Sequence, residues 1–432
     1  MTNIQRSAAE VALTNKANQV LPGGNLGNMD GDIVVRAGRG GRIWDLSGNR
    51  YVDFLLGSGP MLVGHAHPEV VAAVQEQIPL GTTFFVNNEP AIRLAEELVN
   101  AIPCAEKIRY VSSGTEADLY AMRLVRAYRK RDKILKFEGG FHGMSDYALM
   151  SLWPKGPIDF PHATPDSAGI PPNVRGEILV APFNDLGTTR DIIQKHRNEL
   201  AGVIVEPMQR IVPPKPGFLE GLRAVTSEYG IPLIFDEVVT GFRFTYGGIQ
   251  SHYNVIPDLC TLGKVIGGGF PLAAIAGRAD IMAHFDRGAV GAERFTPQIG
   301  TLSGNPVAAV AGLATLKILK RPGSYERIFA TGRRLMDGLQ GALRNAGVDA
   351  QVVGEPPMFD VVFAAGAVSD YRGTLRGDAA KSKRFTALLL ERNVLKGESK
   401  HYVSLAHDED DIRVSLEAYA AAAQALAEAC VA

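Results

Sequence analysis

The feature that most restricts the fold of this chain is an alternation, through its middle, of short apolar runs with amphipathic stretches. Runs such as "KILKF", "LAGVIVEP" and "IPLIFDE" have the length of strands, and they lack the polar alternation of a strand that is exposed on one face. Such runs are typical of parallel strands that are buried on both faces, each joined to the next by a helix. The sequence therefore predicts an α/β fold with a mostly parallel central sheet.

Both ends of the chain depart from this alternation. The early stretch "GRIWDLSGNRYVDFL" predicts a β-hairpin with "SGN" as its turn. After about residue 310 the pattern changes to helical stretches, including "LEAYAAAAQALAEAC", with the strand-like "MFDVVFAA" between them. Since single cores rarely grow beyond ~250 to 300 residues, we expect a second, smaller domain in the C-terminal part.

Charge and cysteine usage exclude several classes of protein. Lysine plus arginine (45) nearly balances aspartate plus glutamate (46), and no basic block indicates a nucleic-acid partner. Cys104, Cys260 and Cys430 are odd in number and widely spaced, which fits neither a disulfide framework nor a metal site, so we expect reduced thiols. The first residues lack the apolar core of a signal peptide, and no stretch offers about 18 uninterrupted apolar residues for a membrane span. We expect a cytoplasmic protein with a small-molecule partner and no membrane or nucleic-acid partner.

The motif "YVSSGTEADLY" places Ser113, Gly114 and Thr115 where a strand gives way to a helix. Free backbone N–H groups, two hydroxyls and the helix dipole converge at such a point, which favours a phosphate group. The alternative is an ordinary N-cap, with Glu116 interacting favourably with the helix dipole. The sequence has neither a P-loop nor a Gly-x-Gly-x-x-Gly fingerprint after a strand.

Two further residues indicate catalytic chemistry. Asp236 follows the apolar run of "IPLIFDE" and should emerge at the carboxyl end of a buried strand, where α/β sheets bind their ligands. The alternatives for Asp236 are a helix N-cap or an ion pair with Arg243. Lys264 lies among apolar side chains in "TLGKVIGGGFPL", and a desolvated amine is a good nucleophile towards an aldehyde. We expect the glycines after Lys264 to let the backbone approach a ligand; the alternative for Lys264 is a surface lysine with its stem packed on apolar neighbours.

A phosphate site, a carboxylate at a strand end and a buried lysine together fit pyridoxal 5'-phosphate (PLP). The phosphate would anchor the cofactor at the helix N-terminus. Asp236 would keep the pyridine nitrogen protonated, and Lys264 would form the Schiff base with the aldehyde. The combination is far more specific than any one of the three signals.

The blocks "SSGTEA", "KFEGGFHG", "FDEVVTGFR" and "GTLSGNP" occur in an order and spacing that resemble the class III aminotransferases, in the branch of glutamate-1-semialdehyde 2,1-aminomutase. The resemblance covers nearly the whole chain. It implies a fold-type I PLP-dependent transferase with a large PLP-binding domain over residues 61–310. It also implies a smaller α+β domain built from both termini, in which an N-terminal segment over 1–60 packs with residues 311–432.

The resemblance also implies roles for individual residues around the cofactor. Lys264 would carry the Schiff base, with freed Lys264 moving a proton on the substrate, and Asp236 would pair with the pyridine nitrogen. In the family a neighbouring subunit's threonine reaches the phosphate, which implies a homodimer with shared active sites. The other residues that would contact or support the cofactor are Ser113, Gly114 and Thr115 at the phosphate, Phe141 and Val238 on the two ring faces, Gln209 at the phenolic oxygen, Thr301 across the dimer, and His142 and Glu206 behind the ring.

The substrate side departs from the family pattern at three places. The stretch "PGGNLGNMDGDIVVR" lacks the arginine that binds the substrate carboxylate in the aminomutase. Ser58 stands where a tryptophan is common, and Ser399 stands where a glutamate is usual. These departures favour a substrate other than that of the aminomutase.

For the substrate itself the sequence offers only candidates. Arg210 in "EPMQRIVPP" is a candidate partner for a carboxylate, and the alternative is a solvent-facing arginine in a loop. Phe84 and Phe85 are candidates to line an apolar part of the site near the dimer interface, and the alternative is packing at that interface. We predict a ping-pong aminotransferase for an amine or amino acid, including β- or ω-amino acids, with a keto acid or aldehyde as acceptor. The alternatives are the aminomutase itself, a lyase or racemase on the same scaffold, and a cofactor-binding protein without catalysis.

Overall fold

The structure is a computed structural model, which describes residues 5–29, 33–154 and 156–431 and divides the chain into two units. The larger unit comprises Glu69–Arg321 and Val368–Leu375. The smaller unit comprises the residues up to Pro68, the stretch Pro322–Ala367 and the residues from Arg376 onwards. The smaller unit is thus built from both ends of the chain.

The strands are short, and those of the larger unit coincide with the apolar runs of the sequence. In chain order they are β1 (Val35–Arg39), β2 (Arg42–Asp45), β3 (Arg50–Asp53), β4 (Lys107–Val111), β5 (Lys133–Phe137), β6 (Ile178–Ala181), β7 (Leu200–Val205), β8 (Leu233–Glu237), β9 (Leu259–Leu262), β10 (Ala273–Gly277), β11 (Gln351–Glu355), β12 (Met358–Val362), β13 (Val394–Leu395) and β14 (His401–Tyr402).

Helices separate most of these strands. In chain order they are α1 (Ala8–Val20), α2 (Pro68–Gln77), α3 (Glu89–Ala101), α4 (Gly114–Arg129), α5 (Leu186–His196), α6 (Phe218–Glu228), α7 (Gly248–His252), α8 (Ala279–Met282), α9 (Arg287–Val290), α10 (Pro306–Leu319), α11 (Ser324–Asn345), α12 (Tyr371–Leu375), α13 (Ala379–Leu390) and α14 (Glu409–Val431).

The larger unit contains a seven-stranded sheet in the order β4-β10-β9-β8-β7-β5-β6. Neighbouring strands from β9 to β6 run parallel, and β10 alone pairs antiparallel with both of its neighbours. Every residue of β6, β7, β8, β9 and β10 is buried, because helices cover both faces of a parallel sheet. The prediction of a mostly parallel, two-sided α/β sheet is confirmed.

The register of this sheet brings the predicted site residues to one edge. Asp236 of β8 pairs with Thr261 of β9, and Lys264 follows the end of β9 by two residues. The segments after β5 and β7 leave the sheet at the same carboxyl edge, since both strands run parallel to β8. Open α/β sheets bind their ligands at this edge.

The smaller unit contains two further sheets, ordered β1-β2-β3-β13 and β11-β12-β14. Strands β2 and β3 form an antiparallel hairpin in which Arg42 pairs with Val52, so the predicted hairpin is confirmed. Strand β13 then adds to β3 in parallel, with Val394 opposite Val52. Helix α14 packs against α11 and α13.

Two other expectations concern the chain as a whole. Cys104 and Cys260 are buried free thiols, as expected, while the side chain of Cys430 lies outside the described residues. Within the described ranges, no helix has both the length and the apolar character that crossing a membrane requires.

Candidate active site

Lys264 begins a short 3₁₀ turn directly beyond β9, with a left-handed backbone φ of 47°. Its amine makes no hydrogen bond or ion pair with any residue that the structure describes. The side chain is half-buried in the single chain, whereas the sequence predicted a buried lysine. The physical reason is its position beyond the end of a strand, at the sheet edge that the helices on the two faces leave uncovered.

The glycines after Lys264 serve packing between elements of the protein. A Cβ on Gly268 would lie 2.5 Å from the backbone of Ala311 in α10, and Gly268 has a left-handed φ of 57°. Conversely, a Cβ on Gly312 would lie 2.1 Å from the carbonyl oxygen of Ile266. The expectation that Gly268 makes room for a ligand is therefore wrong, because the close neighbour is helix α10.

Asp236 is buried near the end of β8 and is held from two sides. His142 donates from Nδ1 to Asp236 Oδ2 at 2.8 Å, and the Val238 N–H donates to Asp236 Oδ1 at 3.1 Å. Arg243, the ion-pair partner considered from the sequence, instead donates from Nε to the Val239 carbonyl oxygen at 3.0 Å. These bonds fix the carboxyl group at the sheet edge beside Lys264.

Ser113 is the N-cap of helix α4. Its hydroxyl accepts the Glu116 N–H at 3.2 Å, and the Glu116 carboxylate accepts the Ser113 N–H at 2.9 Å, which together form a capping box. The cap considered as an alternative from the sequence is therefore present. Thr115 accepts the Met144 N–H at its hydroxyl at 3.2 Å, and a phosphate role for Ser113, Gly114 and Thr115 stays a prediction.

Val238 fills the space between Gly114, which the resemblance places at the phosphate, and Gly263. A Cβ on Gly114 would lie 2.8 Å from Val238 Cγ1, and a Cβ on Gly263 would lie 3.1 Å from the same atom. The absence of side chains at both positions therefore lets the start of α4, the end of β8 and the turn before Lys264 converge on one methyl group.

Phe141 and Arg210 lie together at the carboxyl edge. The Phe141 N–H donates to Glu206 Oε2 at 2.8 Å, so Glu206 fixes the loop that carries the ring. The Arg210 guanidinium lies over the Phe141 ring at 5.3 Å from the centroid, within the range of a cation–π contact. Glu206 thus acts through Phe141, and Arg210 has its charged group at the site.

Gln209 and His142 each leave one buried polar atom without a partner. Gln209 donates from Nε2 to the Glu138 carbonyl oxygen at 2.7 Å, while its Oε1 has no hydrogen-bond partner. His142 Nε2 is likewise buried and unpartnered. Both atoms lie within 4 Å of the position that a Cβ on Gly140 would occupy. Buried polar atoms are rarely left unpaired, so these two indicate room for a polar partner.

The structure does not gather all the predicted residues at this edge. Thr301, Phe84 and Phe85 belong to the larger unit but are exposed. Ser58 belongs to the smaller unit and is exposed as well. The roles predicted for these residues towards substrate or a second subunit therefore remain predictions.

Sequence reasoning missed Asp118 and Thr261. Thr261 donates from its hydroxyl to Asp118 Oδ1 at 2.7 Å. One carboxyl oxygen each of Asp118 and Asp236 and one ring nitrogen of His142 all lie within 4.8 Å of one another. Burial, followed by the charge of Asp236, raises the pKa of Asp118 well above its usual range. The sequence signal that could have identified Asp118 is its position in "TEADLY", directly after Ala117, which lies on the buried face of the predicted helix.

Comparison with known proteins identifies the family. The model of the class-III aminotransferases matches residues 26–370. The chain is 44% identical over 392 residues to glutamate-1-semialdehyde 2,1-aminomutase of Desulforudis audaxviator (strain MP104C), which covers 89% of each protein. An ω-transaminase structure from Sphaerobacter thermophilus is 36% identical, with a TM-score of 0.92 and 98% of both chains covered. A β-phenylalanine aminotransferase from Variovorax paradoxus is 30% identical, with a TM-score of 0.84 over 96% of this chain and 93% of the other.

The geometry of the site fits the cofactor of that family. Three groups lie at one sheet edge: the unpartnered amine of Lys264, the buried carboxyl group of Asp236 and the unpartnered oxygen of Gln209. Their chemistry fits PLP, because an amine would bind its aldehyde, a carboxylate its pyridine nitrogen and an amide its phenolic oxygen. The family match also spans the entire central sheet. The chain belongs to the class-III aminotransferases and is a PLP-dependent aminotransferase of fold type I.

Proposed function

We propose that the enzyme transfers an amino group from an amine or an amino acid, including β- or ω-amino acids, to a keto acid or aldehyde. The observation that carries this proposal is the half-buried Arg210, whose guanidinium lies over Phe141 at the edge that holds Lys264 and Asp236. The similarity to an ω-transaminase and to a β-phenylalanine aminotransferase supports the same substrate class.

The residues of the site divide the chemical work. Bound PLP supplies an electron sink next to the substrate carbon that carries the amine. Lys264 Nζ, whose amine has no partner among the described residues, would remove a proton from that carbon and would deliver it to the C4' carbon of the cofactor. Asp236 supplies the negative charge that holds the pyridine nitrogen protonated. The alternation of an amino donor and a carbonyl acceptor at one site gives ping-pong kinetics.

Arg210 is the proposed anchor for a substrate carboxylate. A guanidinium binds a carboxylate through two parallel hydrogen bonds, which a lysine cannot reproduce. The Phe141 ring lies against the guanidinium group itself and holds the charge at this edge of the sheet. A carboxylate held there is compatible with a substrate whose amine lies several bonds away, as in β- and ω-amino acids.

We expect Arg210→Ala to raise KM for carboxylate-bearing amino donors by about 10- to 100-fold, because a hydrogen bond to a charged group contributes about 1.5 to 3 kcal/mol. Donors without a carboxylate should keep their KM. Steady-state kinetics over a panel of amines and amino acids measures this difference, with Arg210→Lys as the matched control that keeps the charge. An unchanged KM for every carboxylate donor in Arg210→Ala would exclude Arg210 as the anchor.

The aminomutase reaction is the second candidate, because identity to that enzyme reaches 44%. Against it, the stretch "PGGNLGNMDGDIVVR" lacks the arginine expected at the substrate carboxylate. Glutamate-1-semialdehyde supplied without any amino acceptor distinguishes the two. Formation of 5-aminolevulinate would favour the aminomutase, and product formation from other donors without an acceptor would favour a lyase or racemase.

The proposal includes a homodimer, since two connected segments of the larger unit carry exposed apolar side chains. Leu80, Phe85, Val86 and Ile299 are each more than 60% exposed. Asn88 donates from Nδ2 to the Gly304 carbonyl oxygen at 2.9 Å, which joins the two segments that carry these residues. Contiguous exposed apolar surface marks an interaction site. Thr301 lies in the second of these segments, and its contact with the other subunit stays a prediction. A cytoplasmic location remains part of the proposal.

We expect Phe85→Arg to convert the dimer into a monomer, because a charge in the centre of an apolar interface is left unpaired. Light scattering coupled to size-exclusion chromatography measures the mass. Ile256→Arg is the matched control, since Ile256 is also an exposed apolar residue of the larger unit, at 51% exposure. A wild-type monomer, or a dimer that survives in Phe85→Arg, would contradict this surface as the interface.

A further inference from the structure

Asp118 places a second carboxyl group behind Asp236. It lies in the second turn of α4 and is 1% exposed. Thr261 of β9 donates to Asp118 Oδ1 at 2.7 Å and lies 3.4 Å from Asp236 Oδ1. Thr261 therefore lies between two buried carboxyl groups that approach the cofactor position from different elements.

The charges that act on Asp118 are negative. Asp236 on β8 and Glu206 beyond β7 both oppose ionisation of Asp118, and His142 directs its Nδ1 to Asp236. A hydroxyl group has one hydrogen to donate, and the shorter distance assigns that hydrogen of Thr261 to Asp118. One side-chain oxygen of Asp118 lies within 4.8 Å of one of Asp236. Two buried carboxyl groups this close do not both ionise at neutral pH, since each ionised group disfavours charge on the other.

We propose that Asp118 is a positioning residue that keeps its proton at neutral pH and donates it in a hydrogen bond to Asp236, so that the pair bears one negative charge. This inference rests on the predicted contact between Asp236 and the pyridine nitrogen. Asp236 then accepts hydrogen bonds from Asp118, His142 and the pyridine nitrogen at once. Each donor withdraws electron density from the carboxylate, and Asp118 thereby weakens the hold of Asp236 on the pyridine proton.

Two substitutions test whether Asp118 acts as a neutral hydrogen-bond donor: one keeps a donor without charge, and the other removes the donor. Asp118→Asn is nearly isosteric, because the amide NH₂ donates to Asp236 while the amide oxygen accepts from Thr261. It therefore mimics the protonated carboxyl group. Asp118→Ala removes the donor and leaves Asp236 with one hydrogen bond fewer.

The first measurement uses the protein without cofactor. Infrared spectroscopy of protein labelled with ¹³C at the aspartate carboxyl groups reports protonated carboxyl groups by their carbonyl stretch. We expect a protonated-carboxyl band in the wild type at pH 7, its loss at strongly alkaline pH, and its absence in Asp118→Asn. A band that Asp118→Asn retains, or no band in the wild type, would overturn the proposal whatever the role of Asp236.

The second measurement uses the holoenzyme loaded with PLP that carries ¹⁵N in the ring. We expect the ¹⁵N resonance of Asp118→Asn to match the wild type, and that of Asp118→Ala to move towards the fully protonated form. Equal resonances in wild type and Asp118→Ala would overturn the hydrogen-bond role. Asp236→Asn separately tests the predicted contact between Asp236 and the pyridine nitrogen. An unchanged ¹⁵N resonance in this variant would exclude that contact, while the infrared result on Asp118 would still stand.

Discussion

Lys264→Ala is expected to lower the rate of the first half-reaction by about a thousand-fold or more, within the range that a positioned acid–base group contributes. The loss follows because we propose that this residue both attaches the cofactor and accepts the proton that the substrate carbon loses. No other amine at the carboxyl edge of β8 and β9 is predicted to replace it. Single-turnover spectroscopy with a responsive amino donor measures the rate.

The control for this variant is Lys317→Ala, which removes an exposed lysine of α10 in the same unit. It should leave the rate unchanged. Small primary amines added to Lys264→Ala should restore part of the rate, because they enter the space of the missing side chain and accept the same proton. A variant that keeps the wild-type rate within tenfold would show that Lys264 is not the proton carrier.

Asp236→Asn is expected to lower kcat by about 200- to 5,000-fold, because the loss of one partner of the proposed buried ion pair with the pyridine nitrogen costs about 3 to 5 kcal/mol. The amide still accepts the Val238 N–H, so the local fold is retained. His142 Nδ1 must then become the acceptor of the amide hydrogen. Steady-state kinetics measures the loss, and the affinity for PLP should fall in parallel.

The neighbouring carboxyl group provides the control. Glu237 is fully buried on the same strand and accepts the Ile249 N–H at 2.6 Å and the Gln250 amide at 2.7 Å. Burial raises the pKa of Glu237 to about 7, so it is partly neutral at physiological pH. Glu237→Gln should therefore keep kcat within tenfold. Equal losses in both variants would indicate a general effect on β8 and would argue against a special role of Asp236.

The sheet and its catalytic edge were predictable because their signals are local. Strands β7 and β8 arise from continuous apolar runs, and the residue that ends such a run lies at the carboxyl edge of the sheet. Asp236 was predicted from this rule, and Lys264 from its position among apolar side chains before three glycines. The family resemblance then extended the prediction to residues such as Gln209, whose unpartnered oxygen no local pattern reveals.

The errors and omissions have a common physical origin in long-range contacts. The neighbour of Gly268 is Ala311, which no local pattern connects to it. Asp118 resembles an exposed helix residue in the sequence, and only the pairing of β8 with β9 brings Thr261 and Asp236 to it.

The pairing of β3 with β13 determines the order in which the enzyme is completed during synthesis. Val52 emerges from the ribosome early, but its partner Val394 emerges only after the whole of Glu69–Arg321 has been made. Domains generally fold as units while the chain is still growing. The cofactor-binding sheet can therefore form first as a nearly continuous segment, while β3 is without the neighbour that shields its edge. Newly made chains are consequently most vulnerable to strand-to-strand aggregation at β3 during this interval.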